Sequence, residues 1–163
     1  MEVRVLLNFI KKWFGSPNSP KPPVEVQWPV KDISIGQVRK AAAAFLKEKP
    51  EGIPFSVLIK DDHEIDYTFL TPYLKAIPRQ TYYMSRETYE IFEDRNFAKT
   101  IDKIQRAVDD YVDMEGKFPI QDGNPEMKIC YMKLRSYLND TPSFETYLTA
   151  DENLITWRKP ILQ

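Results

Sequence analysis

The sequence predicts an α+β fold, a small single domain in which helices alternate with mostly antiparallel, hairpin-connected strands. Three observations predict it. Apolar residues recur at steps of three and four in some segments and in short runs or alternation in others. The strand-like runs are short and bounded by polar turns, which fits hairpins rather than long crossover units. No Gly-rich loop follows a strand, and the five glycines are scattered, so no dinucleotide or P-loop site is expected.

Taken in order, Val3, Leu6, Leu7, Ile10, Trp13 and Phe14 share one face of a predicted helix, and Arg4, Asn8, Lys11 and Lys12 fall on the other. Gly15 ends it. Residues 16–31 form a linker, where five of the 13 prolines remove backbone donors and stiffen the chain. Within it, Val24 to Trp28 alternates like an edge strand stopped by Pro29. Residues 32–160 form the α+β body.

In the body, Ser34 and Gln37 make a capping box before Val38, Ala41, Ala42, Phe45 and Leu46, with Pro50 and Gly52 as the stop. Phe55 to Ile59 reads as a short strand and Lys60 to Glu64 as a polar turn. Ile65 to Ile77 repeats at about four, a broken helical stretch with Thr71 capping ahead of Pro72. Gln80 to Met84 is strand-like, and Ser85 begins a helix to about Asp94. Asn96 to Glu115 is the clearest helix, with Phe97, Ile101, Ile104, Val108 and Tyr111 inward, Asp102, Lys103, Arg106, Asp109, Asp110 and Asp113 outward, and Gly116 at its end. Lys128 to Tyr131 is a strand candidate and Tyr131 to Leu138 a short helix candidate. Phe144 to Leu148 and Leu154 to Trp157 flank a polar stretch as a hairpin would, and Pro160 closes the fold.

The chain has 163 residues, is 42% hydrophobic and 29% charged, and carries a formal net charge of −1. That excludes a strongly basic nucleic-acid binder, and no nucleic-acid partner is expected. Residues 1–31 hold five basic and two acidic side chains, whereas the remainder holds 18 and 22, so a basic arm precedes an acidic body. No apolar run reaches the ~18 residues of a membrane span. The positive charges follow the N-terminal apolar stretch instead of preceding it, unlike a secretory signal. A cytoplasmic protein is expected, with the inner face of the membrane as its docking place.

Catalytic inventory is thin. One Cys and one His exclude an internal disulfide and leave almost no means for a zinc site. Asp61, Asp62, His63 and Glu64, with Asp66 beyond, are the densest metal-type cluster, but their spacing matches neither a calcium loop nor a zinc protease. A Ser/His/Asp triad has only His63 to use, and Cys130 reads as a buried structural thiol. Asp102 and Asp109 share a helix face, but Lys103 and Arg106 interrupt it and favour a solvated surface. The aromatics Tyr67, Phe69, Tyr73, Tyr82, Tyr83, Tyr131 and Tyr137 lack a basic stripe beside them and read as core. No catalytic residue and no cofactor is assigned.

The sharpest feature is therefore the N-terminal helix. Leu6, Leu7, Ile10, Lys11, Lys12, Trp13 and Phe14 suit either an anionic membrane surface or a protein partner. A metal-dependent or hydrolytic enzyme using Asp61 to Asp66, and a self-associating structural subunit, are the alternatives. Packing of the helix on the body is the plain one.

From about Ser34 to Pro160 the chain resembles a domain family of unknown function in Bacillus-type bacteria. The likeness rests on Phe55-Ser-Val-Leu-Ile-Lys60, Ile65-Asp66-Tyr67, Pro72-Tyr-Leu74, Tyr82-Tyr-Met-Ser85, Tyr147-Leu-Thr149 and Trp157-Arg-Lys-Pro160. It implies a small bacterial protein and supplies no activity, substrate or catalytic residue. A second likeness, of residues 107–119 to the helix exit of secretion pseudopilins, lacks that family's long apolar N-terminal helix and is set aside.

Overall fold

The computed structural model describes residues 26–162. The predicted N-terminal helix and residues 16–25 of the predicted linker lie outside those residues. The α+β class holds. Strand β1 (Val30–Lys31) leads to helix α1 (Ile35–Glu48), helix α2 (Thr71–Leu74), strands β2 (Ile77–Pro78), β3 (Tyr83–Met84) and β4 (Ile91–Phe92), helix α3 (Arg95–Glu115), and strands β5 (Tyr147–Leu148) and β6 (Ile155–Thr156). Among the described residues the strands form three two-stranded pairs: β1 with β2 in parallel, and the antiparallel hairpins β3–β4 and β5–β6.

Helix α1 starts where its side chains say it should. Ser34 accepts from the Gln37 N–H, and the Gln37 side chain accepts in return from the Ser34 N–H, satisfying two free donors of the first turn. Val38, Ala41, Ala42 and Phe45 are buried, but Leu46 turns outward and is 48% exposed. Helix α3 is fixed at both ends: Asp94 caps the Asn96 N–H at 2.8 Å, and Gly116 takes the left-handed conformation, φ 65°, that favours glycine.

Several local expectations are corrected. The strand placed at Val24 to Trp28 falls instead after Pro29, whose carbonyl accepts from the Ile77 N–H at 2.9 Å, because proline has an acceptor to offer a ladder and no donor. Phe55–Leu58 is a 3₁₀ turn rather than a strand: Pro54 fixes its entry, and the Val57 N–H returns to the Pro54 carbonyl at 3.2 Å. Thr71 is the first residue of α2 rather than its cap. Ser85 opens a tight turn, not a helix. The Ser85 N–H bonds the Glu90 carbonyl at 2.9 Å, Tyr89 adopts φ 59°, and the chain returns as β4. The predicted helix at Tyr131 to Leu138 is a run of turns, and the strand at Lys128 to Tyr131 contributes only isolated bridges, Ile120–Ile129 and Lys128–Tyr147.

Two apolar clusters divide the interior. The first gathers Val38, Phe45, Leu58, Ile65, Leu70 and Met84. The second gathers Ile101, Ile104, Val108, Ile129, Leu134 and Ile155 around α3. Burying each such side chain contributes ~1.5–3 kcal/mol. The β3–β4 hairpin supplies Met84 and Ile91 to one cluster and Phe92 to the other. The polar groups that join the two halves therefore collect beside that hairpin.

Candidate functional site

The strongest polar constellation is built on the seam between the two cores. The turn from Lys60 to Glu64 is closed by the Lys60 N–H to the Glu64 carbonyl at 2.8 Å and the His63 N–H to the Lys60 carbonyl at 3.2 Å. His63 takes φ 65°, a conformation that costs a side-chain-bearing residue ~1–2 kcal/mol. The turn aims the imidazole inward, and its Nε2 meets Asp102 Oδ2 at 2.7 Å. Asp102 comes from α3 and is only 2% exposed. The Ser85 hydroxyl donates to Asp102 Oδ1 at 2.5 Å, the Arg86 N–H donates to Oδ2 at 3.2 Å, and the Glu87 N–H donates to Oδ1 at 3.3 Å. Ser85 Oγ also accepts from the Thr88 N–H at 2.9 Å.

This corrects the outward placement of Asp102. A charge is tolerated in a core when hydrogen bonds replace its water, and here four donors from two turns do so. Asp102 and Asp109 do lie on one side of the helix, two turns apart, but only Asp109 is exposed, so no acidic surface is built from the pair.

Ser85, Asp102 and His63 have the residue types of a hydrolytic triad but not its order. A nucleophilic serine needs the imidazole next to its hydroxyl and the carboxylate behind the imidazole. Here the carboxylate lies between them, and Ser85 is fully buried. The geometry makes Asp102 a joint between the 60–64 turn, the 85–88 turn and α3. His63 Nδ1 is buried with no hydrogen-bond partner, so the imidazole is held on one side only.

Two of the remaining acidic groups of the turn, Asp62 and Glu64, also face cations. Asp62 pairs with Arg95 at 2.8 Å and with Lys99 at 3.0 Å, and Glu64 meets Arg95 at 3.4 Å. The Lys99 hydrogen bond, with Arg95 beside it, holds the Asp62 carboxyl below the usual carboxylate range. Arg86 donates to the Lys60 and Asp61 carbonyls at 2.7 and 3.0 Å. Asp66 caps the Thr68 N–H at 2.9 Å. Among the described residues no group of three or more His, Cys, Asp or Glu could hold a metal ion.

Cys130 is half-buried rather than buried, beside Ile129 in the second half of the body. Of the aromatics read as core, Phe69 and Tyr82 are buried, and Tyr67, Tyr73, Tyr83, Tyr131 and Tyr137 are partly buried against the two apolar clusters. Tyr82 is buried and donates to the Ile33 carbonyl at 2.7 Å. Tyr67 donates to the Gln80 carbonyl and accepts from the Tyr82 N–H, each at 3.0 Å, and burial pushes its phenol up to about 12. The docking candidates Leu6, Leu7, Ile10, Lys11, Lys12, Trp13 and Phe14 lie outside the described residues.

Sequence reasoning missed Ser85 and the role of Asp102. One trace was there: Asp102 stands four residues after Ala98 and three before Gln105, both buried, so its position belongs to the inward stripe whatever its charge.

A model for a family described as "protein of unknown function (DUF3939)" matches residues 28–157, including the 60–64 turn, Ser85 and Asp102. No curated protein and no solved structure matches the chain. Among the described residues no helix is long and apolar enough to cross a membrane.

Proposed function

We propose that this chain, which belongs to the DUF3939 family of proteins of unknown function, is a non-enzymatic protein that docks peripherally on an anionic membrane surface through residues 3–14. One sequence observation carries the reading: Leu6, Leu7, Ile10, Trp13 and Phe14 recur at the spacing of one helical face, with Arg4, Lys11 and Lys12 at positions off it, ahead of a Pro-rich segment. Trp13 and Phe14 suit the headgroup level, and each basic residue near anionic lipid contributes ~1 kcal/mol. With three such residues the docking is weak and reversible. In the bacterial cell that the family resemblance implies, the surface is the inner face of the cytoplasmic membrane.

The body supports a non-catalytic role. Its one histidine and its buried serine are both bound to Asp102, and two carboxylates of the 60–64 turn are paired with Arg95 and Lys99.

The test is co-sedimentation of the full chain with phosphatidylglycerol vesicles at low and high salt, beside the double variant Ile10→Ser/Trp13→Ser. Pelleting that salt weakens and the double variant abolishes supports the reading. No pelleting at low salt, or pelleting equal in wild type and variant, overturns it and returns residues 3–14 to a protein partner or to the body itself.

A further inference from the structure

Strand β1 keeps one edge open. Its pairing with β2 uses the Pro29 and Lys31 carbonyls, which accept from the Ile77 and Arg79 N–H groups at 2.9 Å each. Successive residues of a strand aim their backbone groups at opposite edges, so Val30 presents its N–H and C=O away from β2, and Trp28, two residues back, falls in the same phase. Neither has a backbone partner on that side among the described residues. The other strands are covered. Glu64 bridges to Tyr83 of β3, Lys128 bridges to Tyr147 of β5, Arg39 holds the Ile91 carbonyl of β4, and Gln105 Oε1 takes the Ile155 N–H of β6. The far edge of β2 carries Pro78, which has no donor to offer. Proline commonly blunts an exposed edge in this way, but Pro29 faces inward, toward β2, and leaves the outer donors of β1 intact.

The face beside that edge is apolar. Val26 is 59% exposed, Val30 56% and Ile77 39%, and Val30 and Ile77 are direct neighbours across the strand pair. Trp28 stands one step before Val30, with Lys75 Nζ 5.4 Å from its ring centroid. Parallel pairings are ordinarily covered on both faces, and two strands alone make a marginal sheet. The sequence along this edge is also its own complement. Counted outward from Trp28, Gln27 matches Pro29, Val26 matches Val30, and Glu25 matches Lys31. Two copies laid antiparallel about Trp28 therefore set valine against valine and each Lys31 against the partner's Glu25. Lys31 has no ion pair among the described residues. Centring the pair on Val30 instead sets Trp28 against the partner's Asp32 and Lys31 against the partner's Pro29, and loses both matches.

We propose that β1 pairs antiparallel with β1 of a second copy of this chain, about a two-fold axis at Trp28, joining the two strand pairs into one four-stranded sheet. Trp28 exchanges backbone hydrogen bonds with the partner's Trp28, and Val30 does so with the partner's Val26. The pairing also accounts for the strand-like alternation from Val24 to Trp28, which has no strand partner within one copy and gains one from the second. About seven residues of each copy take part, residues 25–31, well under the ~20–30 of a standard interface, so the dimer is reversible and depends on concentration. The interface shares no residue with 3–14, so this pairing and the membrane docking stand or fall separately.

The test is sedimentation velocity of the full chain, without lipid, over a series from micromolar to submillimolar concentration. A monomer–dimer equilibrium is expected. Lys31→Glu sets a carboxylate against the partner's Glu25, twice by symmetry, and weakens the dimer ~5- to 30-fold. Glu25→Lys does the same with two cations. The double variant Glu25→Lys/Lys31→Glu restores opposite charges and returns to within a few-fold of wild type, a rescue that a general loss of stability does not produce. Val30→Pro removes the outward N–H, leaves the Pro29 and Lys31 carbonyls in place, and abolishes the dimer. Ile10→Ser/Trp13→Ser dimerises as wild type does, which separates the strand edge from the N-terminal segment. Circular dichroism confirms that each variant is folded, and if Val30→Pro is not, the charge-swap set decides alone. A chain that stays monomeric throughout, a Lys31→Glu variant as tightly dimeric as wild type, a charge swap without rescue, or loss of the dimer in Ile10→Ser/Trp13→Ser overturns the assignment.

Discussion

Replacing Asp102 with alanine tests the central joint. The carboxylate receives the Ser85 hydroxyl, the His63 imidazole and the Arg86 and Glu87 N–H groups, and its side chain is 3% exposed. Alanine removes every acceptor at once. The Ser85 hydroxyl, itself fully buried, loses its acceptor at a cost of ~1–3 kcal/mol. The two backbone donors are partly buried and recover some of their loss through water, so each adds ~0.5–1 kcal/mol. With the His63 contact and the small void included, the total is ~3–5 kcal/mol, in line with breaking other buried charged networks. For a domain of this size that lowers Tm by ~6–20 °C at ~2–4 °C per kcal/mol. The assay is urea unfolding followed by tryptophan fluorescence and by circular dichroism. Two controls give the reasoning its shape. Asp102→Asn keeps the volume and one acceptor, so it costs less, ~1–3 kcal/mol. His63→Ala leaves the carboxylate with three donors and costs ~1 kcal/mol. A loss below ~1.5 kcal/mol for Asp102→Ala would refute the view that this residue joins the two halves. So would a His63→Ala variant as unstable as Asp102→Ala, because the imidazole and not the carboxylate would then be the centre.

Further outcomes are expected elsewhere. Gln105→Ala strands the Ile155 N–H, which now donates to Gln105 Oε1 at 2.7 Å in a buried setting, and should lower stability by ~1–3 kcal/mol in urea unfolding. Ser34→Ala removes half of the α1 capping box and should cost ~1 kcal/mol by the same measurement. Glu90 gives a pH signature: its folded-state affinity for a proton is raised, so the folded chain binds more protons than the unfolded one above the ordinary carboxylate range, and stability falls as pH rises through that window. Glu90→Gln removes this slope, and the variant should therefore gain on wild type between acidic and neutral pH in matched urea titrations. An equal slope in both proteins would show that Glu90 titrates as an exposed acid does.

How far the fold was readable depends on where each instruction is written. Ser34 with Gln37, Asp94 to Gly116, and the polar stretch between Leu148 and Leu154 act over a few residues, and the elements they specify stand where periodicity placed them. The segment at Ser85 to Asp94 misled because a serine before a polar stretch serves a turn as well as a helix. What decided was Ile91–Phe92 pairing back onto Tyr83–Met84. Phe55 to Ile59 misled in the opposite sense: its apolar run suits a strand, but Pro54 and the turn ahead of it set the backbone first. The Asp102 joint was the least legible, because its partners lie 15 to 39 residues away and no local pattern links them. The docking residues 3–14 lie outside the described residues, so the candidate site read from sequence and the joint found in the body occupy separate parts of the chain.

The way the chain enters the body has a mechanical consequence. Strand β1 lies parallel to β2, with the Ile77 and Arg79 N–H groups bonded to the Pro29 and Lys31 carbonyls at 2.9 Å each. Directly behind them Arg79 grips both oxygens of Asp32 at 2.9 and 3.0 Å, and Tyr82 holds the Ile33 carbonyl. A pull on the N-terminal arm directed along β1 therefore loads these contacts side by side in shear instead of peeling them one at a time. Tension applied to the chain ahead of Pro29 is therefore spread over the strand pair and the Asp32–Arg79 clasp before it reaches α1, so the helices do not bear the first load.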